Sequence, residues 1–399
     1  MKIPSLKISA GCVCGFLLAV VNSCLADEAK GSRLVYVDSV ERSDMDAVTG
    51  VAMSADGKFL YTAAYQSASL CVFARDSVTG ALTYVETADD SELLQGVTSI
   101  QLSPDGRFAV TAAFRSQAIT LLARDSETGR LQYLDSKKQD VDEGVSGLDW
   151  TVIASFSPDG RFVDAIDDRG GVTCFKLTGM NEETKLEFVE AFRHTDLLGA
   201  RGMHHHPAGK HVFVACKTSH ALVALRRDPE SGKLSTATTV YDDKDDVTGL
   251  HSAFGVTVSD DGKFVYVVSG QHGGGKDNCV GVYAFDSEAE TLTRLQEIYP
   301  AETEVDGAKQ PFDGGNNVLL DSAQKNVFAS ATASGGLAMF QRDPVTGHLK
   351  MVQLVHDNER LGWISGLAVS PDNRFLYAAA ERLDSLVVFR IEPSPEKIE

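Results

Sequence analysis

The sequence predicts an all-β fold, a seven-bladed β-propeller of four-stranded antiparallel blades, and three observations carry the prediction. The first is a repeat. VAMSADGKFLYTAA begins at Val51 and returns as IQLSPDGRFAVTAA at Ile100, ASFSPDGRFVDAI at Ala154, MHHHPAGKHVFVA at Met203, VTVSDDGKFVYVV at Val256, VLLDSAQKNVFAS at Val318 and LAVSPDNRFLYAA at Leu367. The seven copies lie 49 to 62 residues apart. A fixed period of this size decides the architecture before local propensity is weighed.

The second observation is the grammar inside each copy. A short apolar stretch meets a polar Asp-Gly turn, where glycine supplies the positive φ of a tight hairpin. A β-rich run follows, FLYTAA in the first copy, then a small polar loop and a second apolar strand, LCVFARD. RDSVTGAL (75–82) then recurs as RDSETGRL, RDPESGKL and RDPVTGHL, with Asp placed to hydrogen-bond the turn backbone. A more polar fourth strand, ALTYVETADD, completes the unit. The inner strands are apolar on both faces rather than alternating, as expected where every small sheet is covered by its neighbours. A stacked solenoid needs polar caps at both ends, and neither end reads as one.

The third observation is a missing strand. The last copy ends at LVVFRI and a short tail, EPSPEKIE, without a fourth strand. RLVYVDSVERSD (33–44), upstream of the first copy, reads like the outer strands elsewhere. It is expected to pair in the last blade and close the ring, which removes an exposed sheet edge. One domain is thus expected over 33–391, with a polar tail at 392–399.

Residues 1–26 read as an export signal. Lys2 and Lys7 precede an apolar core from Ile8 to Val21, and Cys24-Leu25-Ala26 forms a small-residue cleavage site. The apolar run is shorter than the ~20 residues that span a bilayer. A secreted or periplasmic protein cut after Ala26 is expected, and Asn22 makes lipidation at Cys24 a poor match. No other stretch is apolar enough to cross a membrane.

The net charge is −19, and −21 once Lys2 and Lys7 are removed. So acidic a chain repels phosphate backbones, which argues against nucleic acid as a partner. Cys71, Cys174, Cys216 and Cys279 remain at strand positions, where buried free thiols are expected more than a disulfide framework. A monomer without cofactor is expected.

The SPDGRFLYxA unit, the RDxxTGxL turn and GARGMHHHPAGKHVFVACK (199–217) resemble the YVTN/lactonase superfamily of seven-bladed propellers, which includes 6-phosphogluconolactonase-like and carboxymuconate-cyclase-like enzymes. The resemblance covers essentially all of 33–391. It implies a fourth unit close to G-P-R-H-x-x-F-H-P-x-G-K whose second strand ends in Asn-Glu. Arg201 matches the arginine and His206 the histidine before proline, but Gly202 stands where the first histidine belongs and Cys216-Lys217 replaces Asn-Glu. Of the oxyanion-stabilising arginine and the water-activating base that lactone hydrolysis needs, only Arg201 remains.

Propeller geometry places replacements where first strands begin and where loops crowd one face. At the channel mouth the candidates are Asp149, Trp150, Arg201, His251, Asp313, Asn316, Asn317 and Trp363. On the rim lie Arg115, Asp167, Asp168, Lys217, His220, His272, Lys276, Asp277, Glu381 and Arg382. Arg201 with His251 and Asp313 is the candidate catalytic set, His251 pairing with Asp313 or Asp149 as a substitute base. Asp149, Trp150, Asn316, Asn317, Trp363, Lys217, His272 and Lys276 are candidate ligand-binding residues.

Other signals are weaker. GQHGGGKD (270–277) approaches phosphate-loop spacing but has Asp277 in place of Ser/Thr and no following helix, so it reads as an elongated rim loop. His204 and His206 fall on one side of a strand, yet His206 occupies the hairpin position that is serine in other copies, and no metal is assigned. The acid clusters at 89–92, 242–246 and 302–304 read as solvated blade-to-blade loops, because no calcium-loop motif accompanies them. Two functions follow: a propeller binding a small molecule or a protein on its loop-bearing face, or a hydrolase of a small sugar lactone rebuilt around Arg201. The acidic charge weighs against an anionic phosphosugar lactone.

Overall fold

The computed structural model describes residues 32–142, 144–179, 181–270, 278–300 and 310–393. The segment 1–26 expected to be an export signal, the acid cluster at 302–304, His272, Lys276, Asp277 and the end of the tail lie outside these residues. Seven four-stranded antiparallel sheets form the ring, each ordered from the channel outward. Blades 1 to 6 span 48–89, 97–138, 151–193, 200–241, 255–298 and 315–356. Blade 7 takes three strands from 364–393 and its outer strand from the N-terminus. Strand Ser32–Glu41 runs antiparallel to Ser385–Pro393, with Leu34 opposite Ile391 and Val40 opposite Leu386. The expected closure is observed, and both inner edges of the last blade are paired.

Burial follows the layering. The second strand of blade 1, Phe59–Ala64, is buried at every position, as are Phe108–Ala113, Phe162–Asp167, His211–Cys216 and Phe375–Ala380. Outer strands such as Leu82–Asp89 are half exposed. Cys71, Cys174, Cys216 and Cys279 are all buried. Among the described residues no helix is long and apolar enough to cross a membrane.

Antiparallel strands put the hairpin turns (first to second strand, third to fourth) on one face. The second-to-third loops and the blade-to-blade loops are on the other, the mouth face. On the hairpin face the repeat explains itself. Ser54 Oγ donates to Asp56 Oδ1 at 2.6 Å and accepts from Phe59 N at 2.9 Å. The pair recurs at Ser103, Ser157, Ser259 and Ser370. In blade 4 the Ser position is His206, whose Nδ1 accepts from Ala208 N at 3.1 Å, as its hairpin reading expects.

The seams between blades carry a second repeat. Tyr61 of blade 1 donates its hydroxyl to Gly129 O and accepts from Arg124 Nε of blade 2 at 2.6 Å. Tyr377 with Arg75 and Gly80, and Tyr266 with Arg342 and Gly347, make the same latch. The arginine and glycine are those of the RDxxTGxL turn. Between blades 3 and 4 the tyrosine position holds Asp164, fully buried, bonded to His205 Nε2 at 2.9 Å and ion-paired with Arg227. Between blades 4 and 5 both partners are aromatic: Phe213 meets Phe285 edge to face at 4.8 Å.

Candidate functional site at the channel mouth

Where six of the seven blades begin, the first strand bulges; that of blade 5 pairs without a register shift. The register skips Thr49, Thr98, Val152, Arg201 and Ser365, and in blade 6 both Asn316 and Asn317. A bulge leaves its extra residue unpaired and re-aims the side chain. These residues line the central channel, a cavity of about 550 Å³. Below them runs a collar of Val51, Ile100, Met203, Val256, Val318 and Leu367, each at most 9% exposed. The channel thus has an apolar throat beneath a polar tier, the usual composition of a small-molecule site.

Arg201 is the one cation in the polar tier. Its Nη2 pairs with Asp168 at 2.8 Å, and its guanidinium carbon lies 5.8 Å from the Phe254 ring centre. Its Nε is buried without a hydrogen-bond partner. Lys217 stands beside this pair: burial, then the charge of Arg201, holds its pKa below the usual lysine range, while Asp168 acts in the opposite sense. Gly202, where the resemblance implies histidine, packs against the next blade. A Cβ there comes within 2.4 Å of Phe254 O, so the backbone of this chain excludes any side chain at that position.

Two groups outside the expected channel-mouth set, Glu381 and His204, lie in the channel wall. Glu381 accepts a hydrogen bond from the Ser365 hydroxyl, and burial raises its pKa against the opposing effects of Ser365 and Arg382. It was placed on the rim, because nothing local shows a second-to-third loop dipping into the channel. His204, three residues after Arg201, is held down to about 4, by burial first and then by His205, so it is neutral at pH 7. Its Nδ1 donates to His205 O at 3.0 Å, which leaves Nε2 an acceptor. His204 and His206 do not converge: His206 packs among His211, Phe213 and Phe285 in the seam. No cluster of metal-ligating side chains occurs among the described residues.

Of the residues expected at the mouth, Arg201, Asn316, Asn317 and Trp363 line the channel. His251 does not pair with Asp313 or Asp149, and the expected substitute base fails on geometry. The His251 ring stacks on His220 at 4.3 Å and faces Asp242 at 3.9 Å, held outward by the turn that ends blade 4. Asp313 accepts from Asn278 Nδ2 at 2.8 Å, which fixes the loop entering blade 6. Asp149 faces Arg193 at 4.0 Å, and Arg193 reaches buried Asp167 at 3.3 Å. Trp150 lies just outside the channel, 39% exposed and stacked on Phe114 at 5.7 Å. Arg115 bonds Gln66 at 2.9 Å.

Comparison with known proteins agrees with this architecture. Among solved structures, a putative 6-phosphogluconolactonase from Bacteroides uniformis superposes with a TM-score of 0.62 at 20% identity, over 77% of this chain and 84% of that one. Hydrazine synthase from Kuenenia stuttgartiensis gives 0.63 at 16% identity, over 88% and 97%. Both show the fold. The 6-phosphogluconolactonase of Bacillus subtilis is 25% identical over 205 residues, 51% of this chain and 53% of that protein. An uncharacterized protein of Lactococcus lactis subsp. cremoris is 26% identical over 200 residues, 50% and 53%. The matched region spans about half the length of these curated relatives. The family profile described as lactonase, 7-bladed beta-propeller, matches residues 21–147 and 153–364, and the chain belongs to that family.

Proposed function

We propose that the chain binds a small polyhydroxylated carbonyl compound, a sugar acid or its lactone, at the mouth of the central channel. The observation that carries this is Arg201, set on a bulge in the wall of a 550 Å³ cavity, anchored by Asp168 and retaining a buried, unpartnered N–H. Cavities of roughly 300–1,000 Å³ with an apolar lining and a few convergent polar groups are where small ligands seat. A carbonyl or carboxylate oxygen meets Arg201, and hydroxyls meet Asn316, Ser365 and Glu381 on the facing blades. Export rests on the leader expected at residues 1–26. A first residue of Asp27 in the protein recovered from its producing cells supports it, and retention of Met1 contradicts it.

A second reading, lactone hydrolysis, is favoured by Glu381, the Bacillus subtilis relative's name and the family. Glu381, its pKa raised by burial, takes the proton of an attacking water, Arg201 stabilises the oxyanion, and the ring C–O bond breaks with return of the proton to the leaving alkoxide. Lys217, in the place of the expected carboxylate, adds positive charge beside Arg201 and is no base in its charged form.

Calorimetric titration of the full chain with gluconate and with glucono-δ-lactone tests the binding reading. Saturable binding that weakens about tenfold or more in Arg201→Ala is expected, the range for loss of a charged hydrogen bond. Absence of saturable binding of either compound contradicts it. Alkali uptake at constant pH on the lactone, above the spontaneous rate and abolished by both Arg201→Ala and Glu381→Gln, moves the conclusion to hydrolysis.

A further inference from the structure

The chain has two tryptophans, and they occupy equivalent places in two blades. The residue two before the bulge has a positive φ in six blades, and Ser252, at the matching place ahead of the unbulged first strand of blade 5, shares it, the range being +56° to +78°. Glycine fills it in blades 2, 4 and 6 (Gly96, Gly199, Gly314), Ala47 and Ser252 in blades 1 and 5, and Trp150 and Trp363, both at +57°, in blades 3 and 7. The left-handed region opposes any Cβ and a bulky side chain most. Strain of this kind persists where the surroundings hold it and concentrates at ligand sites.

Each indole carries an arginine from nineteen residues further along the same blade. The Arg169 guanidinium carbon lies 4.4 Å from the Trp150 ring centre, and that of Arg382 lies 3.8 Å from Trp363. Stacking on an aromatic face fixes the guanidinium plane and leaves its in-plane N–H donors available. Phe114, stacked on Trp150 with 24° between the rings, steadies that plate further. Among the described residues, no side-chain hydrogen bond or ion pair engages Arg169 or Arg382, in a chain with 56 Asp and Glu. Neighbouring Arg193 and Arg201 are each tied to aspartate. Two arginines are therefore oriented without a hydrogen-bonded counter-ion, although Glu381 lies within electrostatic reach of Arg382, on opposite sides of one opening.

We propose that Trp150 and Trp363 are seats for Arg169 and Arg382, that these two arginines are specificity-determining anion receptors of the channel mouth, and that the ligand is an acidic sugar derivative whose affinity rises with each carboxylate or phosphate it bears. The proposal rests on the channel being the ligand site and adds the charge of the ligand. The net charge of −19 does not decide the sign at the mouth. Charges beyond a Debye length of about 8 Å are largely screened at physiological salt, so oriented cations at contact distance outweigh the acidic loops of the periphery.

Glucitol, gluconate and glucarate share one six-carbon skeleton and carry no, one and two carboxylates; 6-phosphogluconate adds phosphate. Calorimetric titration of the full chain with all four tests the proposal. Affinity is expected to rise in the order glucitol, gluconate, glucarate by about tenfold per acidic group, the range for a charged hydrogen bond. Arg169→Gln and Arg382→Gln each lower the affinity for glucarate about tenfold and leave that for glucitol unchanged. Trp363→Gly also lowers the affinity for glucarate, with an unchanged circular dichroism spectrum, because Arg382 loses its seat. Tighter binding of 6-phosphogluconate than of glucarate assigns the receptors to phosphate, and the reverse to carboxylate. Glucitol binding as tightly as glucarate, or acid affinities untouched by both arginine variants, overturns the receptors and leaves the channel site standing. Failure of all four, and of the lactone, to bind sinks both.

Discussion

On the hairpin face, five serines make the same two hydrogen bonds in five blades, and the residue types recur with the geometry. On the mouth face the geometry recurs without the residue types: seven left-handed residues share a narrow range of φ but are alanine, glycine, serine or tryptophan. Where backbone and side chain repeat together, the side chain serves the fold. Where the backbone alone repeats, the side chain is free to serve something else, and the channel residues Arg201, Asn316, Ser365 and Glu381 are of this second kind. The seams fall between the two, with three Tyr–Arg latches and one replacement by Asp164, His205 and Arg227 directly behind the strand that bears Arg201 and His204.

Breaking what repeats has the largest effect. Removal of residues 32–41 strips blade 7 of its outer strand and leaves an open edge, and loss of the cooperative thermal transition is expected. A sharp transition near that of the full chain contradicts the closure account. Next is the exceptional seam. Asp164→Ala leaves Arg227 and His205 buried without their carboxylate, at a cost of about 3–5 kcal/mol. Tyr61→Phe removes one latch hydroxyl and its hydrogen bond to the Arg124 guanidinium, at a cost of about 1.5–3 kcal/mol. Urea unfolding of the two variants measures the gap, and equal losses remove the distinction between the seams.

Acid provides a finer probe. Burial lowers the His204 pKa from its ordinary 6.5 to about 4, so the unfolded chain takes up this proton first. Stability is then flat above about pH 7 and falls as pH drops from 6.5 toward 4, by roughly 3 kcal/mol for this group. His204→Gln gives a shallower decline over that window, and an unchanged slope refutes the assignment. The smallest effect on stability belongs to Trp363→Gly. Relief of a left-handed tryptophan, worth about 1 kcal/mol, offsets the packing lost with the ring, so an unfolding free energy within about 1 kcal/mol of wild type is expected. A loss of several kcal/mol makes Trp363 a structural residue.

The contrast between the faces also explains what could be read from the chain. The blade number, the hairpin serines, the turn aspartates and the closing strand are local or periodic, and seven copies reinforce each. The latches escaped notice although both halves recur, because Tyr61 and Arg124 are 63 residues apart and no pattern within one copy joins them. At the mouth, Arg201 was found through a motif, whereas Glu381 and His204 were not, since their roles come from burial and from the bulge that turns the first strand. The pairing of His251 with Asp313 failed for the same reason: chain position put both near the opening, and local turns gave each another partner.

The central claim, that function sits on the mouth face alone, is most directly tested by amide hydrogen exchange of the full chain with and without saturating gluconate. The account predicts added protection at the strand beginnings around Thr49, Arg201, Asn316 and Ser365 and in the loop at Glu381, with none at the hairpin serines. Protection confined to the hairpin turns would contradict it.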